Sequence, residues 1–314
     1  MAKRSPIEQI AEYKKRRGLA TGSEASYAIE VLQQQWKSSA IPDHVRDFVP
    51  IRLVTELEVF ARAWIGQLID HGLPYAENAQ LLVRDTNLKF DYAISRALLG
   101  QTLTVGDLIS HNVSINSVEQ IISNFTKIVG HDFLPSIASV HDRAKVEIYG
   151  EPIKPIIADV DKMCAVLAKL FTVRHILIHE KPRETPYIHS EVGEFIEAAL
   201  SLVRATMERF LTLLYGRYPL TQADMNVNAG QRSEAAKLEL AKLVSEITPL
   251  VGTLFSDAQQ AWETFSKQQA LAESGLGTAG AGSMAPMIYN GVIAVLTHER
   301  ISYLSQYKEL LQSR

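Results

Sequence analysis

Apolar residues recur at helical spacing along most of the chain. Clear stretches of this kind cover residues 51–69, 157–181 and 188–214, and shorter ones lie between residues 75 and 153. Because positions three, four or seven residues apart share one face of a helix, each stretch predicts a helix with one buried side. Taken together, the stretches predict an all-α fold.

Proline and glycine residues divide this pattern into parts. Pro42 and Pro50 bracket a connector with little periodicity, and Gly216 followed by Pro219 ends the long apolar stretch before it. Both residue types interrupt helices, proline because it lacks an N–H donor and glycine because of its conformational freedom. The predicted parts are an N-terminal helical extension over 1–48, a larger helical domain over 49–218 and a small helical domain over 221–314.

The helix before Pro182 carries an arginine close to its apolar face. The predicted apolar stripe consists of Val160, Cys164, Leu167, Phe171 and Ile178. At 100° per residue, Arg174 lies only about 40° from the centre of that stripe. A guanidinium that faces a packed surface needs an acidic or phosphate partner, because it cannot lose its charge.

A histidine follows in the last turn of the same helix. Pro182 disfavours helical geometry at the residue before it, so His179 lies near the helix end. Five residues separate Arg174 from His179, which corresponds to about 140° around an ideal helix. The two side chains can therefore meet only if the helix end distorts or if a second subunit supplies one of them.

The arrangement Arg174, His175, Ile176, Leu177, Ile178, His179 resembles the Arg-x-x-x-x-His active motif of the HEPN ribonucleases. As in that family, a polar residue follows the arginine, and the motif ends an apolar helix that precedes another long one. The resemblance implies an all-α bundle over residues 49–218, and a homodimer whose two motifs face each other. It also implies cleavage of RNA without a metal or cofactor, in proteins of the toxin or anti-phage defence kind, with Arg174 and His179 as catalytic residues.

Further polar residues surround this motif. Lys181 and Arg183 place two cations just beyond His179, where the phosphates of an RNA substrate would benefit from them, and with His175 they form the predicted substrate-binding set. Glu56 and Glu58, in the first turns of the helix over 51–69, could supply an acid to the site or could simply complement a helix dipole. No pattern of histidine and cysteine spacing indicates a metal site, and no cofactor motif is present in the sequence.

Two other interpretations fit the same residues. In the first, the domain is a catalytically silent HEPN-like module that binds RNA or nucleotide. In the second, the chain is an interaction protein whose C-terminal domain recruits a partner, and the motif is structural. A structural motif would have Arg174 paired with a carboxylate inside the bundle and His179 interacting with the carbonyls at the helix end.

The C-terminal part carries a separate set of motifs. Asp224, Met225 and Asn226 open it, Gln260, Ala261 and Trp262 follow, and a glycine-rich loop over 275–282 precedes Leu296, Thr297 and Arg300. This order resembles the lysozyme-inhibitor LprI-like family over residues 221–311. Proteins of that family are secreted and are stabilised by disulfide bonds. At the positions where the family has cysteines, this chain has Asn228, Ala270 and Gly291. The resemblance implies a protein partner, and we expect a stack of three helices with Trp262 in its core.

Composition limits the class of protein. The chain has 314 residues, 46% of them hydrophobic and 21% charged, as expected for a globular protein with room for two domains. The net charge of −3 does not favour nucleic acid, so an RNA site must be a local basic patch. A single cysteine, no signal-peptide pattern and no apolar run long enough to span a membrane predict a cytoplasmic location.

Overall fold

The computed structural model describes residues 6–17, 22–38, 41–42, 45–84, 86, 88, 91–100, 102–180 and 182–313. Over these residues the predicted all-α fold is confirmed, since regular structure consists of helices without a strand. None of these described helices is long and apolar enough to cross a membrane.

The chain divides into two compact units, residues 1–216 and 217–314. The helices of unit 1 are α1 (Pro6–Arg17), α2 (Gly22–Lys37), α3 (Phe48–His71), α4 (Tyr75–Val83), α5 (Tyr92–Leu99), α6 (Val105–Asn112), α7 (Val118–Val129), α8 (Phe133–Ala138), α9 (Arg143–Glu147), α10 (Val160–His179) and α11 (His189–Tyr215). The helices of unit 2 are α12 (Gln222–Val251), α13 (Thr253–Ser274) and α14 (Ala285–Gln312).

Helix α3 is the centre of unit 1. It packs against α2, α6, α10 and α11, and most of its length is buried. Aromatic rings from several helices meet at its side: Trp64 lies 5.3 Å from Phe210, and Phe210 lies 5.0 Å from Phe125 and 5.5 Å from Phe133 between ring centroids. Such ring contacts add to the area that these large side chains bury, so they fix α3, α7, α8 and α11 relative to one another.

Helices α3 and α6 approach each other closely at two glycines. A Cβ atom added to Gly106 would lie 2.3 Å from the carbonyl oxygen of Gly66 and 2.6 Å from Oδ2 of Asp70. The amide of Gly106 donates to Oδ1 of Asp70 at 2.9 Å, so a carboxylate of α3 caps the start of α6. Only a residue without a side chain fits at position 106.

Unit 2 is held together by its last helix. The parallel pair α12 and α14 pack along their length, with Ala229, Ser233 and Ala236 buried on α12 and Ala294 on α14. Helix α13 packs on α14 as well, but it makes few contacts with α12, although only Gly252 separates the two. Small side chains allow the close α12–α14 pair, and the weak α12–α13 contact leaves a cleft between those two helices.

The buried cluster of unit 2 is small. It consists of Leu240, Ile247, Phe255 and Leu304. Trp262 was expected in this core, but the structure leaves it only partly buried, because α12 does not close over its side of α13. The guanidinium carbon of Arg300 lies 5.8 Å from the centre of the Trp262 ring and supplies a cation–π contact instead.

Candidate functional site

Helix α10 carries the predicted site residues. It begins where the side chain of Asp159 accepts a hydrogen bond from the Lys162 amide at 2.9 Å, and it stays helical to His179. Its buried side chains are Met163, Leu167, Leu170, Phe171 and Val173. The predicted stripe was therefore partly wrong: Val160 and Cys164 are half-buried, and Ile178 is 44% exposed.

This shift of the buried face changes the surroundings of Arg174. Around an ideal helix, Arg174 lies within about 20° of the centre of the observed buried stripe. Its Nη2 lies 3.6 Å from Oε1 of Glu58 on α3, and the two side chains are 30% and 25% exposed. The Arg174 Nε is buried without a hydrogen-bond partner in the described part of the chain. The acidic partner that the sequence required is thus Glu58, while one guanidinium donor stays unsatisfied.

Glu58 lies between two arginines. Arg62 follows it by one helical turn on α3 and donates through one guanidinium nitrogen to the carbonyls of Ser110 and His111, at 2.6 and 3.0 Å. Burial raises the pKa of Glu58, and the positive charges of Arg174 and Arg62 oppose this rise. The network therefore links α10, α3 and the carboxyl end of α6 through one half-buried carboxylate.

His111, at the end of α6, borders this network. Its Nε2 lies 3.3 Å from Oε1 of Gln9 on α1. Burial lowers the pKa of His111 below its ordinary value of 6.5, and the charge of Arg62 lowers it further. The folded state therefore favours the neutral form of the His111 imidazole.

This lowered pKa predicts a loss of stability in mild acid. Below about pH 6.5 the unfolded chain binds a proton at His111 that the folded chain resists, so the free energy of unfolding should fall as the pH falls. Urea unfolding at pH 7.5 and at pH 5.5 should show a smaller loss for His111→Gln than for wild type. Equal losses in the two proteins would contradict this prediction.

The two histidines of the motif lie together on the other side of α10. The side chains of His175 and His179 are exposed, and their ring centroids are 4.8 Å apart. Because α10 stays helical to its end, His179 lies about 140° around the helix from Arg174. One chain therefore brings His179 next to His175, and it does not bring His179 next to Arg174.

The turn after α10 contains the remaining predicted residues. Arg183 is exposed, and Glu180 and Glu184 are exposed on either side of it, so the turn is not strongly basic. Lys181 lies outside the described residues. The turn is tied to the start of α3 by Tyr187, whose hydroxyl donates to Oδ1 of Asp47 at 2.7 Å. This tether holds the end of α10 in a defined position beside α3.

Motif residues of the C-terminal part also come together. The Arg300 Nε donates to Oε1 of Gln259 at 3.2 Å while its guanidinium lies over Trp262. The side-chain amide of Asn226 donates to the carbonyl of Ser283 at 3.2 Å, which joins the start of α12 to the glycine-rich loop. These motif residues thus hold the three helices of unit 2 together.

Comparison with known proteins identifies only part of the chain. Residues 218–304 match the family model of the lysozyme inhibitor LprI, which confirms the resemblance of the C-terminal part. No curated protein and no solved structure matches the chain. The resemblance of unit 1 to the HEPN ribonucleases stays a prediction.

Proposed function

We propose that unit 1 is a metal-independent RNA endonuclease, with its reacting groups at the end of α10. The observation that supports this most is the pair of exposed imidazoles, His175 and His179, on the helix that also carries Arg174. Imidazole is the side chain that most often both accepts and donates protons in catalysis near neutral pH. Exposure leaves both rings accessible to a large substrate such as RNA.

The proposed reaction uses the ribose as its own nucleophile. His179 serves as base or acid: as base it takes the proton of the 2′-hydroxyl, whose oxygen attacks the adjacent phosphorus. The bond from phosphorus to the 5′-oxygen breaks, and that oxygen takes up a proton. The products are a cyclic phosphate and a 5′-hydroxyl. Holding the reacting groups in line contributes to the rate, because the nucleophile is already part of the substrate.

Arg174 is proposed to stabilise the negative charge on the phosphate oxygens. Its guanidinium offers a fixed set of donors and remains charged throughout the reaction. Glu58 occupies one side of this group, and the buried Nε has no partner in the described structure. Lysine at position 174 should therefore fail to replace arginine. His175 is proposed to orient His179 and the substrate, together with Lys181 and Arg183 in the following turn.

The proposed function is tested with matched RNA oligonucleotides. RNA should be cut in the presence of a chelator, and an oligonucleotide with one 2′-deoxy or 2′-methoxy sugar at the scissile position should bind but not be cut there. Mass spectrometry should find the cyclic phosphate on the upstream product. Cleavage of the 2′-deoxy substrate at a comparable rate, or activity that returns only with magnesium, would rule out this mechanism.

A homodimer is part of this proposal. Since one chain directs Arg174 and His179 to different sides of α10, we expect the ends of two α10 helices to face each other across a two-fold axis. Arg174 of one subunit would then act with His179 of the other. Analytical ultracentrifugation should show a dimer at the concentrations where RNA is cut. A monomer with full activity at nanomolar concentration would refute this arrangement.

A second candidate function is the recruitment of a protein partner by unit 2, with unit 1 catalytically silent. The Arg174–Glu58 ion pair favours it, because that pair gives the arginine a structural role inside the bundle. The match of residues 218–304 to the lysozyme inhibitor LprI model is consistent with a protein partner. Under this alternative, neither Arg174→Lys nor His179→Ala should change any activity on RNA.

A further inference from the structure

A cleft opens in unit 2 between α12 and α13, which make few contacts with each other. Helix α14 forms its floor, and the volume is about 460 Å³. Its apolar wall consists of Leu240, Val244, Trp262 and Ile293. A cavity of this size lies in the range of small-molecule sites, and its wall combines an aromatic ring with aliphatic side chains as such sites do.

The polar groups of the cleft are unevenly distributed. Lys237 on α12 and Lys267 on α13 both line the cleft. Lys237 precedes Gly252 by as many residues as Lys267 follows it. In an antiparallel helix pair this places the two ammonium groups at the same level, at the end far from Gly252. The opposite end is lined by Ser245 and Gln259, which carry no charge.

Two polar side chains of the cleft lining are themselves buried. Thr297, 1% exposed, and Gln259, 4% exposed, lie on its lining, and the Gln259 carboxamide is already used by Arg300. Glu263 also lines the cleft, and its Oε1 accepts a hydrogen bond from the Gln259 amide at 3.4 Å, so the lining has two lysines and one carboxylate. Lys267 makes no ion pair in the described part of the chain, and Lys237 pairs with the exposed Glu234 at 2.7 Å.

We propose that this cleft binds a medium-chain fatty acid or a similar single-chain carboxylate. The alkyl chain would lie between Trp262, Val244 and Ile293, where it removes apolar surface from water. The carboxylate would lie between Lys237 and Lys267, which can approach it from two helices. The lining from Lys237 to Ser245 spans about 12 Å of helix, which suits the length of such a chain.

The test uses decanoate and the full-length protein. Isothermal titration calorimetry should detect binding to wild type, and the double substitution Lys237→Ala with Lys267→Ala should weaken it at least tenfold. Both lysines are exposed, so the variant is expected to fold. Lys242→Ala is the matched control, because Lys242 is an exposed lysine of α12 outside the cleft. The uncharged analogue 1-decanol should bind wild type and the double variant equally.

A second variant tests the place of binding independently of charge. Ala241 lines the cleft and is exposed, so Ala241→Trp should fill the entrance and abolish decanoate binding. Undiminished binding to Ala241→Trp would overturn the proposal. So would an equal loss in Lys242→Ala, or the absence of any decanoate binding to wild type. None of these outcomes depends on whether unit 1 cleaves RNA.

Discussion

Replacing His179 by alanine should lower the proposed RNA cleavage by roughly 100-fold or more, while the affinity for RNA should change little. The expected loss is large because the imidazole is the group proposed to move the proton of the 2′-hydroxyl. Affinity is expected to persist because phosphate contacts, and not this ring, should account for most of the proposed RNA binding. Single-turnover cleavage and fluorescence anisotropy measure the two quantities separately.

Two histidine variants serve as controls for this result. His175→Ala should show a smaller loss, since that ring is proposed to orient His179, which it contacts. His131→Ala, at an exposed histidine after α7, should retain wild-type activity. If His179→Ala cleaves RNA as fast as wild type, the proton transfer does not take place at the end of α10, and the proposed ribonuclease site is wrong.

Replacing Gly106 by alanine destabilises unit 1 by about 1–3 kcal/mol, the usual cost of overpacking. The new methyl group would lie 2.3 Å from a backbone oxygen of α3, which cannot rotate away as a side chain can. The two helices must separate, and the hydrogen bond from Gly106 to Asp70 is then strained as well. The midpoint of urea unfolding, followed by circular dichroism, reports this loss.

The matched control is the other glycine of the same crossing. A Cβ atom on Gly66 would lie 3.4 Å from the Ser110 hydroxyl and 3.5 Å from the Gly106 carbonyl, which is ordinary contact. Gly66→Ala should therefore change stability little, with a gain from helix propensity offsetting any slight crowding. Equal losses at the two positions would mean that the crossing is not set by Gly106.

The helices could be predicted because apolar periodicity is a local property of the sequence. The buried face of α10 could not be predicted. The predicted apolar stripe and the observed one overlap at Leu167 and Phe171, and both have helical spacing. Only the packing of α3 and α11 against α10 selects the stripe with Leu170 and Val173. With this buried face, Arg174 points towards Glu58. The predicted stripe had instead placed Arg174 about 40° from the centre of the buried face.

The polar network around Arg174 illustrates a second limit. Glu58 was a candidate together with its neighbour Glu56, and the structure separates them: Glu56 pairs with Arg52 at 2.5 Å. Arg62 and His111 were missed, because the acceptors of Arg62 are main-chain carbonyls of a helix far away in sequence. Main-chain carbonyls are present at every residue, so the residue types do not indicate which of them accept a hydrogen bond. Only the folded structure identifies these acceptors.

The way α13 is attached also has a consequence for how unit 2 moves. Because α13 packs mainly on α14 and makes few contacts with α12, we expect its opening to require less free energy than unfolding of the whole unit. Amide hydrogens along α13 should then exchange with deuterium earlier than those facing the α12–α14 seam. Gly252, which lies between the end of α12 and the start of α13, is the expected pivot of this opening.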